Sequence, residues 1–411
     1  MRPLAEAQRE VLGAMRPLSS VPVDLAGALG LALAEPVTAP HDVPPFANSG
    51  MDGFAVAAAD TAGAPVVLEV LEDVPAGSVP TRALSPGASI RIMTGAPLPD
   101  GADAVVMVEE TEQAEAGKVR IRSAVEPGTA VRPAGGDLAA GTVVFGAGTR
   151  LTAHHLGVLA SIGVSAPLVR RRPVVAVLST GDEVMPVDTA VLPPGRIRDA
   201  NRPMLVGMLA DLGATVVDLG IVPDDARLLR ATLEEASGAA DAVVTSGGVS
   251  MGDYDLVKQV LGDLGRIDFW QVAMQPAKPF AFGFLGETPL FGLPGNPVSV
   301  TVAFEQFVRP ALLTRMGADR VFRPRVAAVL GHAVDTNPEK AVFLRVALTR
   351  QGERLVATST GGQASNVLSA LAAADGFAVI PVGTGGLDAG EAVEVELFRA
   401  AETRTASEVL G

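Results

Sequence analysis

The chain has 411 residues, 48% of them hydrophobic and 19% charged, with no cysteine and a formal net charge of −14. That length exceeds one ordinary core and predicts about two to four domains; the absence of thiols excludes disulfides, thiolate metal sites and a cysteine nucleophile. The acidic balance argues against nucleic acid or an anionic membrane as the main partner, and no apolar run reaches the roughly 20 residues that span a bilayer, so a soluble, cytoplasmic protein is expected.

The first elements read as helices. "PLAEAQREVLGAM" and "DLAGALGLALAEPV" place apolar residues at helical spacing, with Asp24 as a cap for the second. From "PPFANSGMDGFAV" to about residue 141 the period shortens. Runs such as "PVVLEVLEDV", "ASIRIMTG", "DAVVMVEE" and "KVRIRSAV" are separated by Pro, Gly and Asp and predict a small β domain. Strand and helix return in residues 142–171, so an N-terminal domain (1–42 and 142–171) split by a β-rich insert (43–141) is expected.

From residue 172 strands and helices alternate. "PVVAVLST", "TVVDLGIV" and "DAVVTSG" are unbroken apolar runs of strand length, as in strands buried on both faces. Helical segments lie between and after them, which predicts a doubly wound α/β domain with a parallel sheet over residues 172–322. It closes on "TPLFGLPGNPVSVTVAFEQFVRPALLTRMG", a strand, a turn and one long helix with Asn296 at the N-cap and Pro297 first in the helix. Residues 323–411 return to β patterning and read as a barrel or sandwich. The expected whole is a multidomain chain of α/β and β parts.

Ligands in open α/β sheets gather outside the carboxyl ends of the strands. Three loops there are chemically loaded. "LSTGDEV" carries Thr180, Gly181, Asp182 and Glu183; "GIVPDDARLL" carries Asp224 and Asp225; "TSGGVSMGDYD" carries Thr245, Gly247, Gly248, Ser250 and Asp255. Judged by itself, the second loop is better accounted for by helix capping than by chemistry. The third can bring backbone amides and hydroxyls to an anion, yet it is neither a Walker A loop nor a dinucleotide fingerprint. Anion donors and carboxylates on one rim conflict unless a divalent cation joins them, and oxygen-only ligands suit Mg²⁺. The pattern therefore predicts metal-assisted chemistry on a phosphorylated small molecule. Asp52 and Thr94, farther upstream, read by themselves as turn residues.

The segments "PPFANSGMDGFAV", "RIMTGAPLPDGADAVVMVE", "LSTGDE", "TSGGVSMGDYD", "KPFAFG" and "LPGNPVSV" stand in the order found in the molybdopterin molybdenumtransferases, which the chain resembles over its whole length. The catalytic domain of gephyrin is similar. The resemblance implies a four-domain homodimer, with residues 172–322 as the molybdopterin-binding domain and 323–411 as a β-barrel. It also implies the reaction: molybdate and adenylylated molybdopterin give molybdenum cofactor and AMP, with Mg²⁺. The family's cleft is shared between subunits. Asp52, Thr94 and Asp137 would come from one side, and Glu183, Asp224 and Asp255, which would also hold the metal, from the other. Thr245, Gly247, Gly248, Ser250, Lys278, Pro294, Pro297, Arg345 and Ser365 would bind substrate. Hand-over of substrate from the pathway's adenylyltransferase is left open.

The chain departs from the family at Gln271 and Gln275, where lysines are common, and at Gly136, where an acidic residue often precedes Asp137. Two other readings stay open: a carrier or scaffold that holds molybdopterin without chemistry, and an insertase for tungsten.

Overall fold

A computed structural model describes residues 1–248 and 256–398. The chain forms two compact units, one made of Met1–Val21, Gly30–Ala34 and Val169 onward, the other of Pro22–Leu29 and Glu35–Leu168. Helix α1 (Leu4–Gly13) buries Ala7 and Val11, four residues apart and therefore on one face. The next predicted helix is much shorter than its pattern suggests. Asp24 caps it, accepting the Gly27 N–H at 2.7 Å, but only Leu25–Ala28 is helical. Gly30 turns the backbone to φ +78°, and the apolar residues that follow are buried in extended chain, with Leu33 bridging Val169.

The β-rich region carries a six-stranded sheet: β1 (Gly53–Val56), β2 (Val66–Val74), β3 (Ala88–Ile92), β4 (Ala104–Met107), β5 (Thr111–Gln113) and β6 (Lys118–Ile121), in the order β4-β1-β3-β2-β6-β5. All four residues of β1 are buried. A Cβ on Gly53 would lie 2.0 Å from the Val106 carbonyl oxygen, so only glycine permits this approach of β1 to β4. Asp52 is thereby held at the very start of a central strand.

The α/β sheet has β7 (Val174–Thr180), β8 (Thr215–Val222), β9 (Ala242–Ser246), β10 (Arg266–Gln271), β11 (Pro279–Leu285) and β12 (Thr288–Leu293), ordered β8-β7-β9-β12-β11-β10. The pairs from β8 to β12 are parallel, whereas β11 and β10 are antiparallel. The sheet is mixed, not wholly parallel as expected, because a tight turn rather than a crossover helix links β11 to β12. Helices α2 (Asn201–Leu212), α3 (Ala226–Ala239) and α4 (Leu256–Leu264) fill the crossovers. In α2 the buried leucines fall at 205, 209 and 212, and in α3 Leu229, Leu233 and Ala236 pack on the sheet beside Val260 and Leu261.

The predicted long terminal helix is interrupted. Between α5 (Pro297–Ala303) and α6 (Arg309–Arg315) the residues Phe304–Val308 form a π-helix. The widened turn carries Glu305 and Gln306 inward. Glu305 is 3% exposed and meets Arg323 through two 2.9 Å bonds, while Gln306 donates to Glu396 at 2.7 Å. Polar side chains inside a helix bundle need such partners, and the wider turn supplies the room.

The C-terminal strands β13 (Arg325–Leu330), β14 (Ala341–Gln351), β15 (Arg354–Ser359), β16 (Gly376–Ile380) and β17 (Ala392–Leu397) run β14-β15-β13-β17-β16, and β16 pairs back onto β14. The sheet closes on itself, so the region is a barrel and not a sandwich.

A half-buried ion pair fastens the entry to the α/β sheet. Asp241, before β9, accepts both terminal nitrogens of Arg171 at 2.6 Å and the Val174 N–H at 2.8 Å. Burial pushes its pKa up, but the Arg171 guanidinium and the Val174 amide prevail and hold it below the usual carboxylate value. Asp241→Ala should cost about 1–3 kcal/mol, since it leaves the Val174 amide without its acceptor while the half-buried Arg171 keeps Ser19 Oγ and the Arg172 carbonyl. Because the folded pKa is the lower one, the pair's contribution is complete above the ordinary Asp range and fades as pH falls through the folded value. Denaturant melts from pH 7 to pH 3 should show wild type converging on the variant only at the acid end.

Candidate active site

Strand order reverses at β7, which has β8 on one side and β9 on the other. The crevice at the carboxyl ends of β7 and β9 is the position where open sheets receive ligands. A cavity of about 330 Å³ opens there, and its wall includes Thr180, Glu183, Asn201, Gly247, Asn296 and Pro297.

The chain leaves β9 through Gly247 at φ +96° and Gly248 at φ +71°. A Cβ on Gly247 would sit 2.7 Å from the Thr180 carbonyl oxygen and 3.0 Å from Thr180 Oγ1. The turn can therefore press against β7 only as bare backbone. Thr245 is wholly buried, and the hydroxyls of Thr180 and Thr245 have no hydrogen-bond partner among the described residues. Ser250 and Asp255, expected on this loop, lie outside the described residues.

The start of α2 forms the polar floor. Asp199, 2% exposed, accepts Ser179 Oγ at 3.1 Å, the Arg202 N–H at 3.1 Å and Arg202 Nε at 2.9 Å. Arg202 also pairs with Asp218 of β8, so the helix start is tied to the sheet. Asn201 donates from Nδ2 to Ser246 Oγ at 2.8 Å and to the Gly295 carbonyl at 2.6 Å. Across the cavity Asn296 stands at the N-cap of α5 but makes no side-chain cap bond. The helix is instead closed by the barrel's loop, because the Val298 N–H donates to the Ser365 carbonyl at 3.1 Å. Pro294 lies in the turn between β12 and α5, and Pro297 begins the helix.

That same loop is gripped by Arg345. It is 1% exposed, donates from Nη2 to the Gly362 carbonyl at 2.7 Å and exchanges backbone bonds of 3.0 Å with the Gln363 amide. Burial pushes its pKa down, and among the described residues Nε has no partner. Lys278 stands at the head of β11. The antiparallel register with β12 puts it on the carboxyl edge of the sheet, although it does not line the cavity.

The acidic rim is sorted by its hydrogen bonds. Asp225 caps α3, accepting the Arg227 and Leu228 N–H groups at 2.8 and 3.0 Å, and those amides hold its pKa below the ordinary value. Asp224 is spared that task. It faces Asp182, each backbone N–H donating to the other's carboxylate at 3.4 and 3.2 Å. Among the described residues no three His, Cys, Asp or Glu side chains converge as a metal site. Two exposed carboxylates without a third suit a magnesium ion that keeps water and takes its remaining ligands from substrate phosphate. The donor set fits that ion and does not form a closed cage.

In the other compact unit, Asp52 Oδ1 accepts both the Thr94 N–H at 2.8 Å and Thr94 Oγ1 at 2.7 Å. These two bonds, helped by the charge of Arg91, hold the Asp52 carboxyl below its usual pKa. Both fall on one oxygen, and the other is left to solvent or a ligand. Asp137 is exposed and fixed through its backbone, its N–H donating to the Val43 carbonyl at 2.9 Å. Sequence reasoning counted Asp182 in the acidic rim without naming it as a metal ligand, and gave no role to Asp199 or Asn201. The signal was present as acidic and amide residues directly beside strand ends, but their partners are distant in sequence.

Three family descriptions match in succession. Residues 2–163 match "MoeA N-terminal region (domain I and II)", residues 176–314 "Probable molybdopterin binding domain" and residues 327–398 "MoeA C-terminal region (domain IV)". The chain is 41% identical over 391 residues to molybdopterin molybdenumtransferase 2 of Mycobacterium tuberculosis, covering 93% of this chain and 96% of that one. It is 36% identical over 405 residues to the molybdopterin molybdenumtransferase of Bacillus subtilis, covering 97% and 94%. A solved molybdopterin biosynthesis MoeA protein from Pyrococcus horikoshii superposes with a TM-score of 0.80 at 35% identity, over 97% of this chain and 99% of that one. With the fold, the switch-point cavity and the whole-length matches in agreement, the chain belongs to the molybdopterin molybdenumtransferase family, a family of transferases.

Proposed function

We propose that the protein inserts molybdenum from molybdate into adenylylated molybdopterin and releases AMP, with Mg²⁺ as cofactor. The observation that carries this reading is the pairing, on one sheet edge, of a bare-backbone turn at Gly247 and Gly248 with the exposed carboxylates of Asp182 and Asp224. Bare backbone lets an anion come close to the turn, whose Gly247 N–H is itself taken by the Leu293 carbonyl at 3.1 Å, and the carboxylates would be intolerable beside that anion without a cation. Bound Mg²⁺ would supply the charge that lets the substrate's pyrophosphate lie there.

In this reading Asp224 and Asp182 hold the ion, with Glu183 on the same rim and Asp255 called on as a further ligand. Thr245, Ser250, Pro294 and Pro297 shape the cradle, and Lys278, Arg345 and Ser365 receive the oxyanions. Asp52, Thr94 and Asp137 reach the substrate from a second copy of the chain, in a cytoplasmic homodimer of four-domain subunits divided near residues 43, 142, 172 and 323. The metal-capturing sulfurs belong to the substrate, so no enzyme thiol is needed. The hydrogen bonds that glutamine can donate would let Gln271 and Gln275 serve where relatives of this kind often carry lysine.

The test is incubation of purified protein with adenylylated molybdopterin and molybdate, with and without Mg²⁺. AMP release and cofactor formation that both require the ion are expected. Tight pterin binding without AMP release would make the protein a carrier, and preferential use of tungstate would make it a tungsten insertase.

A further inference from the structure

Resting on the reading above, we propose that Asn201 is the residue that recognises the pterin ring, its Oδ1 accepting a hydrogen bond from the ring's exocyclic amine. The amide's orientation is settled by its neighbours. Nδ2 lies 2.6 Å from the Gly295 carbonyl and 2.8 Å from Ser246 Oγ. Reversing the amide would set oxygen against the carbonyl oxygen, so both amide hydrogens are committed and Oδ1 faces the remaining side. Oδ1 is buried and, among the described residues, has no partner, and neither has Thr180 Oγ1 in the wall of the same cavity.

A buried acceptor without a donor is costly until a ligand supplies one. Phosphate and molybdate oxygens are acceptors and would be repelled by Oδ1, so the anionic ends of the substrate belong elsewhere. An exocyclic amine carries two hydrogens and can satisfy Asn201 Oδ1 and Thr180 Oγ1 together. Val184, Ile197 and Leu368 give the cavity apolar walls, as a flat heteroaromatic ring requires.

The experiment titrates full-length protein with two fluorescent probes, 6-hydroxymethylpterin and the same pteridine lacking the 2-amino group, and separately with AMP. Wild type should prefer the aminated probe by about ten-fold or more, the range expected when a buried acceptor is left unpaired. Asn201→Leu should erase the preference and leave AMP affinity unchanged. Asn201→Asp keeps an acceptor but sets its second oxygen against the Gly295 carbonyl, so it should bind both probes more weakly than wild type while keeping the preference. Should the leucine variant not fold, Asn201→Ala takes its place. If Asn201 were only a clamp, both substitutions would weaken both probes equally and leave the ratio intact, which overturns the proposal. Loss of AMP binding with an unchanged ratio also overturns it, by assigning Oδ1 to the nucleotide. Failure of wild type to bind either probe sinks it together with the functional reading, and that outcome is distinguishable because it precedes any substitution.

Discussion

Asp224→Ala should lower turnover by about 10²–10³-fold, the order seen when one preorganised transition-state contact is removed and here acting through the cation the carboxylate holds, while the protein melts at its normal temperature. The neighbouring Asp225→Ala should do the reverse. Asp225 makes both capping bonds of α3, so its loss loosens the helix and lowers the melting temperature, with turnover near wild type. Among the described residues Asp224 makes no capping bond, and its carboxylate meets only the Asp182 backbone at 3.4 Å. The two residues are adjacent aspartates and both exposed. General electrostatics of the rim would therefore affect them alike, and only the assigned division of labour separates them. The decisive measurement is AMP release at saturating substrate beside a thermal melt for each variant. Equal turnover for the two variants would remove Asp224 from the mechanism. Raising Mg²⁺ should partly rescue Asp224→Ala, since a weakened ion site is refilled by mass action.

This pair also shows how far the chain's own pattern could be read. "GIVPDDARLL" announces a cap and an extra carboxylate, but which aspartate does which depends on the β-region backbone of Asp225, a property of the folded loop. The strands of the α/β sheet were legible because β7 and β9 are almost continuously apolar, and that composition is tolerated only between two layers of helix. β14 of the barrel was legible from the run "VFLRVALTR", whereas closure was not, since it depends on β16 returning to β14. The interrupted helix at Phe304–Val308 escaped notice for a related reason. Its residues keep helical spacing, and the extra residue in the turn answers to Arg323 and Glu396, partners that belong to later parts of the chain. Asn201 was read only as part of a helix, because Ser246 and Gly295 are 45 and 94 residues away. Apolar periodicity is local and survives in one dimension; polar satisfaction is long-range and does not.

Arg345→Met should make the unliganded protein more stable and a poorer enzyme. The guanidinium is 1% exposed, has an orphaned Nε and gains one side-chain bond, to the Gly362 carbonyl. Taking a cation out of water costs several kcal/mol, and that single bond returns only part of it. The depressed pKa of Arg345, caused by burial, reports the same imbalance. A methionine of similar length fills the space without the charge, so a gain of about 1–3 kcal/mol is expected from denaturant melts without ligand. The arginine is then explicable only by what it does when an anion arrives. It sits in β14 and grips the loop whose Ser365 carbonyl closes α5 at the cavity, so charge and loop geometry are delivered together. Molybdate or phosphate should stabilise wild type and leave Arg345→Met unmoved, and turnover of the variant should fall at least about ten-fold. Arg345→Lys should not restore it, because an ammonium cannot hold Gly362 and present a planar face to an oxyanion at once. A variant that melts lower than wild type without ligand would show that the buried cation stabilises the barrel, and the functional explanation for its burial would be withdrawn.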